Sequence, residues 1–426
     1  MRPAGLSPDG RPTCSWSAAT RCGISRRCGT CGTCTRPDAR YNAGSNEDGV
    51  EPVSAPNAPD AVVVGGGAVG CATAYELTRR GLRVSLVERD GIASHASGFA
   101  YGGLYATTGA GIPGPVLPVA KQCLELHRGL ADDIRDQTGL DDGFRPARSI
   151  EVAFDQRRVD WLKGEARWQL QEGFKVELLD QKGMREIEPR LNPDIIGGAL
   201  HSSHYEVDSY KYTFGLGWAF EKRGGRIVRS SAVAVTERDG RATGVALSNG
   251  ETIPAGIVVL ATGPWASTDE IPGVRPLPIH ASRGEILRLE FPGDDFRSRV
   301  TLDSHYIARK PDGLVWVGTT DETVPGFDDR TTEAARASIM EGVLRLAPAL
   351  EAARLVTQTA CLRPVAKDGL PIIGRGGLDG LYLANGAGKK GILLSPAIAR
   401  MVAALAIDAD EAAVPAPFRS GRFAIR

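Results

Sequence analysis

The chain has 426 residues, which is enough for two domains that each bury a hydrophobic core. Lys and Arg together number 51, and so do Asp and Glu, so the formal net charge is zero. This balance argues against nucleic-acid binding, and the sequence predicts no apolar run as long as a membrane span. We therefore expect a soluble, cytoplasmic protein.

The first 58 residues differ in composition from the rest, and residues 1–58 are predicted to be a disordered extension. They are rich in Arg, Gly, Ser, Thr and Pro, and they lack the large apolar side chains that would offset the entropy of ordering. Cys28, Cys31 and Cys34 are evenly spaced here, but a structural zinc site needs four ligands and no nearby histidine completes one. We predict no metal site. A targeting segment stays open as an alternative because the stretch is Arg-rich and acid-poor.

A dinucleotide-binding motif follows this extension. Ala61–Val64 is a β-branched run typical of a buried strand, and Ala68–Arg80 is predicted to be a helix. Gly65, Gly67 and Gly70 suit a tight turn, close approach of the backbone to a pyrophosphate, and close packing of the helix on the strand.

The second strand of this unit, Leu82–Val87, ends at Glu88, where an acidic side chain is suited to hold a ribose hydroxyl. The glycine spacing alone is a weak signal. Strand, glycines, helix, strand and acid together predict a dinucleotide site, with the phosphates at the N-terminus of the helix.

The rest of the chain alternates between small-residue loops and regular elements. The loop from Arg89 to Leu104 is rich in glycine and serine, which let a backbone approach a large flat ligand closely. Periodicity predicts helices over Leu117–Gln137, Arg157–Glu172, Tyr210–Arg223, Thr331–Leu346 and Leu394–Leu405. It predicts strands over Ser149–Phe154, Arg226–Val228, Val233–Thr236, Ala242–Leu247, Glu251–Pro254, Gly256–Gly263, Ile286–Glu290, Tyr306–Arg309, Leu314–Gly318 and Leu381–Ala384. Cofactor-type segments recur with strand-rich inserts between them, which predicts two interleaved domains.

Several segments are informative together: Cys361–Gly374, Gly386–Pro396, Ala261-Thr-Gly-Pro-Trp265, and Tyr306 within His305–Arg309. With the glycine motif, they resemble the D-amino-acid oxidase superfamily of flavoenzymes, and within it glycine oxidase most. The resemblance covers about residues 59–410. It implies an α/β fold in which a Rossmann-like FAD-binding domain (59–148, 206–280 and 361–410) is interleaved with an α+β substrate domain built on an antiparallel sheet (149–205 and 281–360).

The resemblance also implies a cofactor and a reaction. FAD is the expected cofactor, and its predicted contacts are Gly65, Gly67, Ala68, Val69, Gly70, Glu88, Arg89, Ser97, Gly98, Gly103, Leu104, Val233, Thr262, Gly263, Gly388, Lys389, Gly391 and Ile392. The implied reaction is oxidative deamination of glycine, sarcosine or a small D-amino acid, in which a hydride passes to the flavin N5. The electron acceptor is O₂ or, alternatively, a quinone or carrier that serves a D-amino-acid or N-methyl amine dehydrogenase. A flavin-binding subunit without turnover is a further alternative, and a homo-oligomer is compatible with the sequence.

Three residues match substrate-binding positions of this superfamily, and we predict them to be catalytic. Arg363 matches an arginine that grips the substrate carboxylate bidentately, and Tyr306 matches a tyrosine whose hydroxyl assists on the same carboxylate. Lys389 falls where glycine oxidase has a second arginine. Lysine keeps the charge but loses the planar fork, which leaves room for N-alkyl or larger amino acids.

His95 raises a separate possibility, because His95-Ala-Ser-Gly98 is comparable to a segment through which related amine dehydrogenases hold flavin covalently. We expect non-covalent FAD, with covalent attachment at His95 as the alternative.

Overall fold

The structure is a computed structural model that describes residues 58–268, 271, 274–293, 296–324 and 326–423. The predicted extension, with its alternatives of a metal site or a targeting segment, lies outside the described residues apart from Ala58.

Nineteen strands lie within the described residues. They are β1 (Ala61–Val64), β2 (Val84–Glu88), β3 (Gly103–Leu104), β4 (Arg145–Ala153), β5 (Val176–Asp180), β6 (Gly197–Glu206), β7 (Arg226–Arg229), β8 (Ala232–Arg238), β9 (Arg241–Leu247), β10 (Thr252–Pro254), β11 (Ile257–Leu260), β12 (Ile279–Glu290), β13 (Arg299–Leu302), β14 (His305–Arg309), β15 (Val315–Gly318), β16 (Glu322–Thr323), β17 (Arg354–Ala366), β18 (Ile372–Arg375) and β19 (Leu381–Asn385).

The α-helices in the same part of the chain are α1 (Ala68–Arg79), α2 (Ala96–Phe99), α3 (Leu117–Thr138), α4 (Gln156–Gln171), α5 (Gln181–Ile187), α6 (Ser209–Lys222), α7 (Glu333–Leu346) and α8 (Gly391–Asp408). Short 3₁₀ helices span Gly263–Ser267, Pro348–Ala352, Gly388–Lys390, Glu411–Ala413, Ala416–Phe418 and Ser420–Phe423. The five helices predicted from periodicity are confirmed, each within a few residues at its ends.

Six strands form the first sheet in the order β18-β19-β11-β1-β2-β7. All neighbours in it are parallel except β18, which runs antiparallel to β19. The central strand β1 is apolar and buried along its whole length, as expected for a parallel sheet that is covered on both faces. The predicted strand over 61–64 is therefore confirmed.

The residues of β1 alternate between two cores. Val63 packs in a cluster with helices α1, α3, α6 and α8, whereas Val62 and Val64 pack in a cluster with the antiparallel meander β8-β9-β10. The first sheet is thus the middle of three layers, and both of its faces exclude water.

The second sheet is antiparallel except where β4 and β13 run parallel. Its strand order is β16-β12-β15-β14-β13-β4-β6-β3, with β17 paired along the other edge of β12 and β5 paired with β6. Helix α7 packs on it through Ile339, Val343 and Leu346, which share a core with Leu287 and Val317. The predicted fold class, an α/β nucleotide-binding sheet interleaved with an antiparallel sheet, is confirmed. The domain boundaries at 59–148, 149–205, 206–280, 281–360 and 361–410 stay a prediction.

Helix α8 is held at its first turn by a side chain from α3. Pro396 lies inside the helix and cannot donate to the carbonyl of Ile392. His127 supplies the missing donor, since its Nε2 lies 3.0 Å from that oxygen and 3.1 Å from the carbonyl oxygen of Leu393. Burial lowers the pKa of His127 to about 4, even though the two carbonyls favour the charged form. The imidazole is therefore neutral, and its Nε2–H anchors the start of α8.

The same region has the length and the apolar composition of a membrane-spanning helix. Within the described residues, Gly388–Asp408 is long and apolar enough to cross a membrane by length and composition, so the expectation of no such run is wrong. This segment is 67% buried inside the protein, and α8 lies in the same core as α1 and α3. Core packing accounts for its apolar character.

Candidate active site

A cavity of about 740 Å³ begins at the carboxyl ends of β1, β2, β11 and β19 and continues to the second sheet. Parallel α/β sheets bind ligands in this place, beyond the carboxyl ends of their strands. The cavity is lined by backbone and small side chains at the first sheet, and by aromatic and basic side chains at the second.

The three motif glycines are needed for different reasons. Gly65 has a φ of +112°, and a Cβ there would overlap the backbone of Ala261 on the neighbouring strand. A Cβ at Gly70 would overlap the carbonyl of Gly65, so Gly70 lets α1 pack on β1. At Gly67 a Cβ would meet only the Ser97 hydroxyl oxygen, at 3.3 Å, and Gly67 lines the cavity. The fold itself tolerates a side chain at Gly67, whereas a ligand that approaches the backbone does not.

The N-terminus of α1 is open to an anion. Gly67 caps it without a side-chain hydrogen bond, and the first turn contains no acidic residue. The N–H of Ala68 donates to Ser97 Oγ at 2.9 Å. Because the positive end of the helix dipole meets no counter-charge from the helix itself, it suits a phosphate.

Glu88 is fixed beside the glycine turn. Its Oε2 accepts a hydrogen bond from the N–H of Gly66 at 2.7 Å, and its Oε1 accepts one from the N–H of Asp90 at 2.8 Å. The carboxylate lines the cavity at the end of β2, where dinucleotide folds hold a ribose.

Asn385 ties the ends of β11 and β19 together. Its Nδ2 donates to the carbonyl of Leu260 at 2.8 Å, and its Oδ1 accepts from the N–H of Gly263 at 2.9 Å. The turn that it fixes lines the cavity beside the start of α8. The turn at Gly65–Gly67, the open N-terminus of α1 and the carboxylate of Glu88 thus fit the ADP part of FAD.

Most of the predicted site residues line this cavity. They are Gly65, Gly67, Ala68, Val69, Glu88, Arg89, Ser97, Gly103, Val233, Thr262, Gly263, Tyr306, Arg363, Gly388, Lys389, Gly391 and Ile392. Gly70, Gly98 and Leu104 do not line it. A Cβ at Gly98 would overlap the carbonyl of Ala93, and Leu104 is fully buried in the core. The contacts of these residues with FAD stay a prediction.

Arg363 on β17 is held by hydrogen bonds to two neighbouring residues. Its Nη1 donates to the carbonyl of Thr320 at 3.0 Å, and its Nη2 donates to Thr319 Oγ1 at 2.9 Å. On the paired strand β12, a Cβ at Gly284 would overlap the guanidinium, so the glycine provides the room that this group needs. The guanidinium is therefore fixed in place at the wall of the cavity.

Asp321 links Arg363 to Lys389. Its carboxylate lies 3.6 Å from Arg363 Nη1 and 2.6 Å from Lys389 Nζ, and Ser282 Oγ donates to it at 2.6 Å. Burial raises the pKa of Asp321, but the hydrogen bonds from Lys389 and Ser282 outweigh it and hold the pKa below its ordinary value. The ionised carboxylate offsets one of the two cations, so a single positive charge is left for a ligand.

Tyr306 on β14 presents a free hydroxyl. It is 3% exposed, lines the cavity, and its hydroxyl has no hydrogen-bond partner among the described residues. Burial raises the pKa of this phenol, although the charges of Arg299 and Arg363 act in the opposite direction. The hydroxyl therefore keeps its proton and is available to donate to a ligand in the cavity.

Two basic residues of the cavity were missed by the sequence reasoning. Lys390 is half-buried, and its Nζ donates to the carbonyl of Tyr105 at 2.8 Å. Burial, followed by the nearby charge of Arg299, lowers the pKa of Lys390 to about 7. Its only signal was its place beside Lys389. Arg299, the first residue of β13, lies outside every motif and carried no signal.

His95 also lines the cavity, and it has partners of its own. Its Nε2 lies 2.7 Å from Asp90 Oδ2, and its ring centre lies 4.7 Å from that of Trp265. Covalent attachment of FAD at His95 stays an alternative. Within the described residues, no group of three or more His, Cys, Asp or Glu side chains is arranged to hold a metal ion.

A glycine turn at a helix N-terminus, an acid at the end of the second strand and a cavity that reaches a fixed arginine are the arrangement expected of a dinucleotide-dependent oxidoreductase. Residues 60–405 match the family described as FAD dependent oxidoreductase (DAO). The chain belongs to this family, so the predicted resemblance is confirmed. It is an FAD-dependent oxidoreductase that acts on C–N groups.

Individual relatives agree with this membership. The chain is 29% identical to a glycine oxidase of Geobacillus kaustophilus, over 84% of this chain and 96% of the relative. It is also 29% identical to a glycine oxidase of Pseudomonas aeruginosa, over 84% of this chain and 97% of the relative. The crystal structure of glycine oxidase from Geobacillus kaustophilus superposes with a TM-score of 0.79 at 28% identity, and covers 85% of this chain and 98% of that one.

Proposed function

We propose that this protein oxidises the C–N bond of a small amino acid whose α-carboxylate is held by Arg363 and Tyr306. The observation that carries the proposal is the fixed guanidinium of Arg363 beside the Tyr306 hydroxyl, which has no hydrogen-bond partner among the described residues, in the cavity of an FAD-dependent oxidoreductase. Glycine, sarcosine and small D-amino acids are the candidate substrates. The glycine oxidases among the relatives support this class.

Arg363 and Tyr306 bind and orient in this scheme. A carboxylate that pairs bidentately with a planar guanidinium can adopt few orientations, so the α-carbon is held in a defined position. The protonated hydroxyl of Tyr306 donates to the same carboxylate. FAD, when bound, supplies the acceptor for the hydride that leaves the α-carbon.

Lys389 has a different role from that of a second carboxylate ligand. Because Asp321 pairs with it at 2.6 Å, we propose that Lys389 mainly holds Asp321 and the loop after β15 in place. The substrate carboxylate then meets one net positive charge, which suits a monoanion at this end of the cavity.

The proposal also covers the electron acceptor and the location of the protein in the cell. We propose O₂ as the electron acceptor, with a quinone or electron carrier as the alternative, and a cytoplasmic location. An assay of the purified enzyme distinguishes the two acceptors. An oxidase forms H₂O₂ in air, whereas a dehydrogenase reduces an added dye without forming H₂O₂.

The test begins with an anaerobic screen of amino acids and amines for bleaching of the bound flavin. With a bleaching substrate in hand, Arg363→Ala is expected to keep FAD and to raise KM at least about 100-fold, since two charge-assisted hydrogen bonds are lost. Arg363→Lys should fall between this variant and the native protein. Arg288→Met is a control for the loss of an arginine from the same sheet, because Arg288 lies over the ring of Trp316 and does not line the cavity. An unchanged KM in Arg363→Ala would refute the assigned role.

A further inference from the structure

A second guanidinium, that of Arg299, lies in the same cavity within a group of tyrosines. Its Cζ is 5.3 Å from the ring centre of Tyr101, 5.0 Å from that of Tyr105 and 4.9 Å from that of Tyr306. All four residues line the cavity. Aromatic faces attract a guanidinium, but they leave its N–H groups in need of acceptors.

Within the described residues, the guanidinium of Arg299 has no hydrogen bond and no carboxylate within 4 Å. The nearby carboxylates have other partners: Glu206 pairs with Lys310 at 2.9 Å and with Arg145, and Glu151 pairs with Arg158. A guanidinium that is partly withdrawn from water without a counter-ion is costly, so an anion from outside the chain is its natural partner.

The charges around Arg299 are not balanced locally. Burial raises the pKa of Glu151 and the charges of Arg158 and Arg299 act to lower it, but this carboxylate is already paired with Arg158. Burial and then the charge of Arg299 lower the pKa of Lys390 to about 7 and that of His201 to about 4. Burial is the larger cause of both shifts, and the charge of Arg299 acts in the same direction. An anion bound at Arg299 would relieve this repulsion.

Tyr306 connects this second guanidinium to the first. Its ring centre lies 4.9 Å from Cζ of Arg299. Its hydroxyl lies 3.1 Å from the place that a Cβ would take on Gly318, and the next residue, Thr319, accepts a hydrogen bond from Arg363. The charges of both arginines act on its phenol. The cavity therefore has two cationic points that share one tyrosine. Asp321 lies beside Arg363, whereas Glu206 and Glu151, the described carboxylates near Arg299, are paired with other bases.

We propose that Arg299, with Tyr101 and Tyr105, is a second anion subsite, and that the preferred substrates are amino acids with an acidic side chain. In this arrangement Arg363 holds the α-carboxylate and Arg299 holds the side-chain carboxylate. The inference rests on the proposed function and deepens it, because it names the substrate class of the same site. It also accounts for a basic residue that binding of glycine alone would leave without a partner.

The test uses matched pairs of substrates with the native holoenzyme and with Arg299→Met. D-Aspartate and D-asparagine have nearly the same shape, as do D-glutamate and D-glutamine, but only one member of each pair carries the second charge. We expect kcat/KM of the native enzyme to favour the acid of a pair about 10- to 100-fold. Arg299→Met should lose that preference and keep its rate on the amide, and Arg288→Met should keep both.

A binding measurement separates the failure of this inference from the failure of the proposed function. Succinate and its monoamide are titrated into the holoenzyme, and the visible spectrum of bound FAD reports the dissociation constant without turnover. Tighter binding of succinate in the native protein that is lost in Arg299→Met supports the subsite even if no amino acid is oxidised. Equal binding of the two ligands, or equal effects of Arg299→Met on both, would overturn it. Loss of FAD from Arg299→Met would also overturn it, since the arginine would then serve the cofactor.

Discussion

Gly284, which lies against the guanidinium of Arg363, is a sensitive point of the proposed substrate site. In Gly284→Ala the new methyl group would overlap the guanidinium of Arg363. The backbone at Gly284 is outside the left-handed region, and the overlapping atoms are the end of a flexible side chain. We therefore expect the variant to fold and to bind FAD, but to displace the guanidinium.

The size of the effect follows from the contacts of Arg363. Displacement breaks its hydrogen bonds to Thr319 Oγ1 at 2.9 Å and to the carbonyl of Thr320 at 3.0 Å, which hold its planar group in place. A substrate carboxylate would then keep one of its two charge-assisted hydrogen bonds. The loss of one such bond costs about 1.5–3 kcal/mol, which corresponds to an increase of about 10- to 150-fold in KM.

The assay measures KM for the best substrate and the dissociation constant of a carboxylate inhibitor from the flavin spectrum. Gly256→Ala is the matched control, because a Cβ there meets no atom within 4 Å and the backbone is again outside the left-handed region. If Gly284→Ala retains the KM of the native enzyme, the guanidinium does not depend on this space and the reasoning fails. Equal losses in both variants would point to a general effect of alanine.

Further predictions concern the cofactor and the pH dependence. Gly67→Ala should fold like the native apoprotein but bind FAD at least about 10-fold more weakly, which flavin titration will measure. Gly65→Ala should unfold, which a thermal melt will show. Because the folded pKa of His127 lies below its unfolded value, stability should fall by about 2 kcal/mol from pH 7.5 to 5 through this residue, and urea unfolding of His127→Gln should lack that part. Lys390 loses its charge above pH 7, so succinate should bind more weakly at pH 9, but not in Lys390→Arg. Precipitation of the protein with acid should release FAD into the supernatant. A yellow pellet would mean that flavin stays attached to the denatured protein, which would favour a covalent bond at His95.

Local pattern was enough for the central strand β1 and the dinucleotide motif, but it predicted neither β18 nor the order of strands in the first sheet. Ala61–Val64 is a β-branched run between glycines, and such a run is stable as a buried strand wherever the chain places it. Gly70 makes room for the carbonyl of Gly65 within the same turn, so the glycine spacing together with the flanking strand and helix predicted the start of α1, whereas the contact of Gly65 with Ala261 depends on a distant strand. Local pattern was not enough for α8, because a buried core helix and a membrane-spanning helix can have the same length and apolar composition. Only the burial of α8 in the core explains its composition.

The sequence by itself thus determined the nucleotide end of the cavity, and by its motif it singled out Arg363. Only the tertiary structure decided what surrounds that arginine. Gly284 makes room for it across a strand pair, Asp321 joins it to Lys389, and Arg299 enters the same cavity from β13. The physical reason is that phosphate binding uses backbone N–H groups within one turn, whereas charge compensation depends on side chains from strands that are distant in the chain.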